Sequence, residues 1–134
     1  MTTKELPQLE TSAIWKRVTA LAVHARVFAD TLPRAENYVM SDPIVRASVT
    51  LTSDIAMAIG KGNDDVDFDY RYARGHLFTL KGLILLAQEY GFGQKADALL
   101  TEITGIEKIF NTRITELEAA AEAKIKSKAA VEKK

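Results

Sequence analysis

The sequence predicts an all-α protein, an up-down-up-down four-helix bundle. Two observations point there. Apolar residues recur at steps of three and four in four successive stretches, the helical spacing, with no strand alternation between them. Short breaks at Leu32-Pro33, at Gly60-Lys61-Gly62-Asn63 and at Gly91-Phe92-Gly93 separate those stretches. Four helices on short connections pack as antiparallel neighbours. At 134 residues the chain is one domain, able to bury a core without disulfides or metal.

Residues 1–8 read as a disordered lead, 9–121 as the bundle and 122–134 as a basic tail, frayed or disordered. The first helix begins near residues 8–11 and reaches Asp30 or Thr31. Ile14, Val18, Leu21, Ala25, Phe28 and Leu32 form its seam, widened by Trp15, Ala22 and Ala29, while Lys16, Arg17 and Arg26 lie off it. Pro33 has no N–H and pushes Leu32 out of helical geometry, so the helix stops there. Arg34 to Met40 is a connection in which 34–37 allow a short turn. Ser41 reads as the N-cap of the second helix, with Asp42 and Pro43 in its first turn.

The second helix presents Ile44, Ala47/Ser48, Leu51, Ile55 and Ala58/Ile59 inward, with small residues filling most gaps, and ends at Gly60 as a C′ residue. Asn63 or Asp64 is expected to cap the third helix. Aspartates 64, 65, 67 and 69 suit the positive end of its dipole. Its seam is Tyr70, Ala73, Leu77, Leu80, Ile84 and Ala87. Tyr72, Phe78, Leu83, Leu85, Leu86 and Tyr90 then place apolar groups around most of the circumference, more than one solvent-facing helix of a monomer carries. Gly75 and Gly82, seven residues apart, each cost about 1 kcal/mol of propensity against alanine, which asks for a close contact on their side. The fourth helix starts near Gln94 and carries Ala96, Leu99, Ile103, Ile106, Phe110, Ile114 and Leu117, interrupted mildly by Gly105. Beyond Leu117, alanine, glutamate and lysine leave it without an apolar stripe.

Composition narrows the function classes. There is no cysteine, which excludes disulfides, thiolate metal sites and cysteine nucleophiles and fits a cytoplasmic protein. Met1 to Glu10 has neither the basic start nor the apolar centre of a signal peptide, and the apolar run Leu83 to Ala87 is far too short to span a membrane. The net charge of zero argues against bulk coating of nucleic acid. It divides, however, into +4 over residues 123–134 and −4 over the remainder.

No constellation of catalytic or metal-binding residues is present, so neither an enzyme nor a cofactor is expected. His24 and His76 lack a second histidine or a carboxylate at helical ligand spacing. Asp65, Asp67 and Asp69 alternate like the start of an EF-hand loop, but Tyr70 and His76 then occupy its glycine and glutamate positions. Gly60-Lys61-Gly62 is a turn and not a phosphate loop. The Glu-x-x-His step of di-iron bundles is absent, because Leu21 and Ala73 precede the histidines by three. For nucleic acid, Tyr70 and Tyr72 interleave with Arg71 and Arg74, which offers stacking and phosphate contact. Against that, the tyrosines suit a core or interface, and the arginines suit solvent or pairing with Asp67 and Asp69.

Leu32-Pro33-Arg34-Ala35-Glu36-Asn37-Tyr38, followed by Ile44, Arg46-Ala47, Val49, Leu51, Ser53 and Ile55-Ala56, resembles the four-helix-bundle family of ribosomal-RNA intervening-sequence proteins. That family opens on Phe-Pro-x-x-Glu-x-Tyr and carries an Arg-Ala pair. Ala73-Arg74-Gly75, Leu77, Leu80, Ala87, Glu89 and Gly91-Phe92 resemble its Ala-Arg-Gly-Ser-Leu…Leu-Gly-Tyr segment. The likeness covers about residues 13–118. It departs at Asp54, Met57 and Ala58, where the family has Asn, Glu and Gly; His76 stands at Ser, and Thr79 and Lys81 replace acidic positions.

Relatives in that family include the accessory variability protein of diversity-generating retroelements, a basic homopentamer that binds nucleic acid and its reverse transcriptase. The resemblance thus implies a homo-oligomeric ring, pentameric, which suits the apolar circumference of the third helix and makes its Tyr72, Phe78, Leu83 and Leu86 the expected interface residues. It also implies RNA or DNA, or a reverse transcriptase, as partner; the sequence itself offers Arg17, Arg46, Arg71, Arg74, Lys124, Lys126 and Lys128 as the contacting cations. The alternative is a scaffold that docks only other proteins.

Overall fold

The computed structural model describes residues 9–62, 67–92 and 96–132. Four helices account for most of them: α1 (Ala13–Asp30), α2 (Asp42–Gly60), α3 (Asp67–Glu89) and α4 (Ala96–Glu132). The described residues include no strand. The expected all-α, four-helix arrangement is what forms.

Consecutive helices pack side by side, and α4 returns to close the square against α1, the thinnest of the four seams. Bridging side chains fix the directions. Lys61 of the turn after α2 meets Asp69, and farther back along α2 Asp54 meets His76, farther along α3. Arg71 meets Glu118, and Lys81 approaches Glu107 at 3.9 Å. His24 meets Glu102, while the Arg17 guanidinium lies over Gly105. In each case rising numbers on one helix oppose falling numbers on the next, so neighbours are antiparallel.

Nearly every position expected inside is inside. Val18, Leu21, Ala25 and Phe28 of α1, Ile44, Ala47, Leu51, Ile55 and Ala58 of α2, and the whole α3 seam from Tyr70 to Ala87 form one core with Ala96, Leu99, Ile103, Ile106, Phe110 and Ile114 of α4. Alanines and Ser48 alternate with Leu, Ile and Phe, which lets the helices approach closely while the large side chains fill the space between them. Ile14 and Leu117 are only partly buried, because they sit where neighbouring helices run out.

The ends differ from expectation in three places. Ser12 caps α1, accepting a hydrogen bond from the Trp15 amide at 3.2 Å, after a 3₁₀ turn at Leu9–Thr11. Ser41 is not an N-cap. A 3₁₀ turn (Arg34–Glu36) and a π turn (Asn37–Ser41) run directly into α2, so Ser41 is already helical, and its buried hydroxyl donates to the Ala29 carbonyl at 3.1 Å. Gly60 is the last residue of α2 rather than its C′ residue; the left-handed conformation falls at Gly62, with φ 73°. After α3 it falls at Gly91 (φ 84°), and Phe92 N–H closes back on the Ala87 carbonyl. The caps expected at Asn63 or Asp64, the Gly93 break and the start at Gln94 lie outside the described residues, as do 1–8.

α4 has 37 residues and is therefore about 55 Å long, against 18 to 23 residues for the others. Gly105 does not interrupt it. It continues past residue 121 to Glu132, and from Glu118 onward every described residue is exposed. No described helix is long and apolar enough to cross a membrane.

Two stability measurements test this packing. Phe110 is fully buried against Tyr70, so Phe110→Ala should lose about 3–5 kcal/mol in urea unfolding, a large part of the stability of a domain this size. Gly105→Ala should gain about 0.5–1 kcal/mol, because only the mobile tip of Arg17 must move to admit the methyl group.

Candidate interaction surface

α3 carries two seams. The inner one is the core seam described above. The outer one runs Phe68, Tyr72, Gly75, Thr79, Gly82, Leu86 and, just past the helix end, Tyr90, in steps of three and four, and all seven residues are exposed. None is charged; Arg71 and Glu89 stand beside it. Such a sequence of steps is the spacing with which one helix meets another. Phe68 is 61% exposed, Tyr72 54% and Tyr90 60%, so the aromatic rings face outward rather than tucking into this bundle.

The neighbouring face of α2 continues the same character through Val49, Thr50, Ser53, Met57 and Gly60, all exposed. Along α3 Phe68 meets Tyr72 edge-on at 4.6 Å, and Tyr72 stacks on His76, whose Nδ1 lies 2.5 Å from the Asp54 carboxylate of α2. At the far end the outer seam runs into an apolar groove of about 400 Å³ lined by Glu36, Val39, Met40, Leu86, Tyr90 and Phe92.

The glycines sharpen this picture. A Cβ added at Gly75 or Gly82 would meet nothing within 4 Å. The close contact that sequence reasoning asked of them is therefore absent among the described residues, and both open outward.

Of the four interface residues expected from the sequence, Tyr72, Phe78 and Leu86 are exposed on or beside this wall. Leu83 is not equivalent: it is partly buried and packs on the core. Phe78 carries the Lys81 ammonium over its ring at 5.5 Å.

The seven expected cations do not form one patch. Arg17 lies along the α1–α4 seam over Gly105. Arg46 lines a cleft between α1 and α2. Arg71 pairs with Glu118, and Arg74 donates to the Asn111 side-chain oxygen at 2.9 Å, both across the α3–α4 seam. Lys124, Lys126 and Lys128 project from the part of α4 that extends past the core. The interleaved tyrosines separate: Tyr70 is a core residue against Phe110, and Tyr72 is exposed, with Phe68 and His76 against its ring. Asp69 takes Lys61 as its partner, at 3.0 Å from Oδ2 and 3.4 Å from Oδ1. The nearer oxygen receives no well-directed hydrogen bond, so the contact is chiefly Coulombic.

Sequence reasoning missed the partners of the histidines. His24 Nδ1 lies 2.8 Å from Glu102 of α4, and His76 reaches Asp54 of α2. Both carboxylates come from another helix, so no local spacing could announce them. Neither pair gains a third ligand: among the described residues no three His, Cys, Asp or Glu side chains gather as a metal site. Compared with known proteins, no family model and no curated protein matches the chain.

A double-mutant cycle on His76→Ala and Asp54→Ala should return a coupling of about 0.5–1 kcal/mol, as expected for a partly exposed pair. The readout is thermal or urea unfolding of the four proteins. Zero coupling would show that the pair only accompanies the α2–α3 packing.

Proposed function

We propose that this chain is a non-enzymatic bundle that self-associates through the α2–α3 wall and uses its outlying cations to bind nucleic acid or a nucleic-acid-processing partner. The observation that carries the reading is the uncharged outer seam of α3, with Gly75 and Gly82 open to the outside. Two helices with glycines at such spacing approach backbone to backbone, and a second copy of this chain supplies a helix with the same spacing and no opposing charge. Residues of both signs are scarce on the wall, so copies meet there without electrostatic penalty.

The resemblance to the intervening-sequence family supports a closed homo-oligomeric ring, of which a pentamer is the family's form. It also supports RNA, DNA or a reverse transcriptase as the partner. In such a ring the weak basic elements of each subunit repeat, and repeated weak contacts raise avidity without any new contact type. A cytoplasmic setting belongs to the same reading. The protein-only scaffold is favoured by one specific observation, that Arg71 and Arg74 are already engaged by Glu118 and Asn111.

Light scattering separates the assembly from its absence. The wild type should have a mass several times that of one chain. Tyr72→Glu with Leu86→Glu should weaken association by at least about 30-fold, since two charges would be placed inside the contact. Gly75→Ala should strengthen the isolated helix by about 0.5–1 kcal/mol and yet weaken association, a combination that no purely internal role of the glycine produces. A clean monomer at all concentrations rejects the assembly.

For the nucleic-acid half, electrophoretic mobility shift at two salt concentrations should show RNA or DNA binding that falls as salt rises. It should weaken in Arg71→Ala/Arg74→Ala and in a chain ending at residue 121. Absence of any shift at low salt leaves the protein-only scaffold.

A further inference from the structure

A second feature lies away from that wall, at the end of the bundle where α1 passes into α2. There a cleft of about 590 Å³ is lined by Arg26, Asp30, Arg34, Asn37, Asp42 and Arg46, among others. The three arginines come from three different segments: α1, the 3₁₀ turn and α2. No hydrogen bond or ion pair within the described residues engages any of the three guanidinium groups. This holds although Arg26 has Asp30 four residues along its own helix and Arg46 has Asp42, the spacing at which such pairs form. The donors therefore remain free to meet something in the cleft.

The arrangement has a polarity. The Ser41 hydroxyl bound to the Ala29 carbonyl fixes the register of the α1–α2 hairpin at its closed end. Arg26 lies three residues before Ala29 on α1 and Arg46 five residues after Ser41 on α2, on opposite walls of the cleft. Asp30 and Asp42 stand one turn, about 6 Å, nearer the end. Arg34 comes from the connection that spans the top. Three arginines and two aspartates thus stand exposed around one cleft, with Ala29, Leu32 and Ser41 buried beneath them.

A carboxylate ligand offers one edge of two oxygens and is satisfied by one guanidinium fork. A phosphate monoester offers three oxygens in different directions, which suits forks arriving from two walls and a roof. Asp30 and Asp42 accept hydrogen bonds from hydroxyl or amino groups on whatever carries the phosphate. The volume leaves room for such a carrier.

We infer that this cleft binds a nucleoside 5′-monophosphate group, with Arg26 and Arg46 on the phosphate, Arg34 closing over it, and Asp30 and Asp42 receiving donors of the carrier. The group is supplied either by a free nucleotide or by the 5′-phosphorylated end of an RNA. The site does not depend on self-association or on the lysines of α4, so it stands or falls separately from the function proposed above.

Calorimetric titration of the full chain at low ionic strength tests it, with adenosine 5′-monophosphate, adenosine and inorganic phosphate as probes. The monophosphate should bind, more tightly than inorganic phosphate, and adenosine should not bind at all. Arg26→Gln and Arg46→Gln should each weaken the monophosphate by about tenfold or more, the loss of a charge-assisted contact. Lys108→Gln, on the exposed surface of α4, should leave it within about twofold of wild type. Asp42→Asn should narrow the preference for the monophosphate over inorganic phosphate.

A short RNA with a 5′-phosphate, compared with the same RNA ending in 5′-hydroxyl, identifies the source: a preference for the phosphorylated end assigns RNA, and equal weak binding of both beside good monophosphate binding assigns the free nucleotide. The exposed positions of Arg26 and Arg46 make misfolding an unlikely cause of loss, and circular dichroism of the variants checks it. No binding by any phosphate-bearing probe, or binding unchanged in both arginine variants, overturns the inference.

Discussion

The inner seam of α3 is the contact on which the rest of the bundle depends. Tyr70, Ala73, Leu77, Leu80, Ile84 and Ala87 face α2 on one side and α4 on the other, and all six are buried. α1 is held to α4 more thinly, so α3 acts as the inner post against which the other helices are registered. The seam works because small and large residues alternate along it. Ala73 and Ala87 admit the neighbouring backbones, and Leu77, Leu80 and Ile84 fill the space so opened, burial that is worth roughly 1.5–3 kcal/mol for each large side chain. Polar bridges such as His76 to Asp54 and Arg71 to Glu118 sit at the margins of this packing. They select the antiparallel register more than they supply stability.

A helix has one circumference, and α3 spends half of it on the core. What faces outward would ordinarily be charged. Here it is a second run of threes and fours, aromatic at both ends and glycine-bearing in the middle. A glycine in an exposed helix weakens that helix, nothing among the described residues packs against either one, and the two lie on the same line among exposed Phe68, Tyr72 and Leu86. That conflict between local propensity and the folded subunit is the physical basis for placing the missing compensation outside the subunit. The contrast with α4 is instructive. Its outlying part is also exposed, but apart from Ile125, Ser127 and Val131 it is built of alanine, lysine and glutamate, residues that keep a helix stable in water without any partner.

Much of the fold was legible in periodicity alone, because the core positions of an antiparallel bundle are set by local spacing. Every inner residue expected on α2 and α3 is buried or partly buried. The misreadings have a common cause. Ser41 followed by Asp42-Pro43 is a sound N-cap signature, yet the π turn before it carries helical geometry straight through, and its hydroxyl is claimed by Ala29 across the hairpin. Leu83 looks like Leu86 in sequence, but its azimuth turns it toward the core. The histidine partners, and the meeting of Arg26, Arg34 and Arg46 around one cleft, depend on contacts between segments, which spacing along the chain does not encode. The surface reading was therefore legible as residue types and not as places.

Charge is distributed in keeping with this division. The wall of α2 and α3 is nearly neutral, while cations gather at the α1–α2 end, along the α3–α4 seam and on the far part of α4. An apolar contact is little affected by salt, whereas a cation–phosphate contact weakens steeply with it. The two kinds of association proposed for the molecule would thus be governed by different variables and located on different surfaces. A net charge of zero has a further consequence. Repeating a strongly basic subunit in an assembly accumulates self-repulsion with every copy, but repeating this one multiplies its local basic features without raising the total. A subunit of this composition can be repeated through its neutral wall and still present each of its cationic features to an anionic ligand.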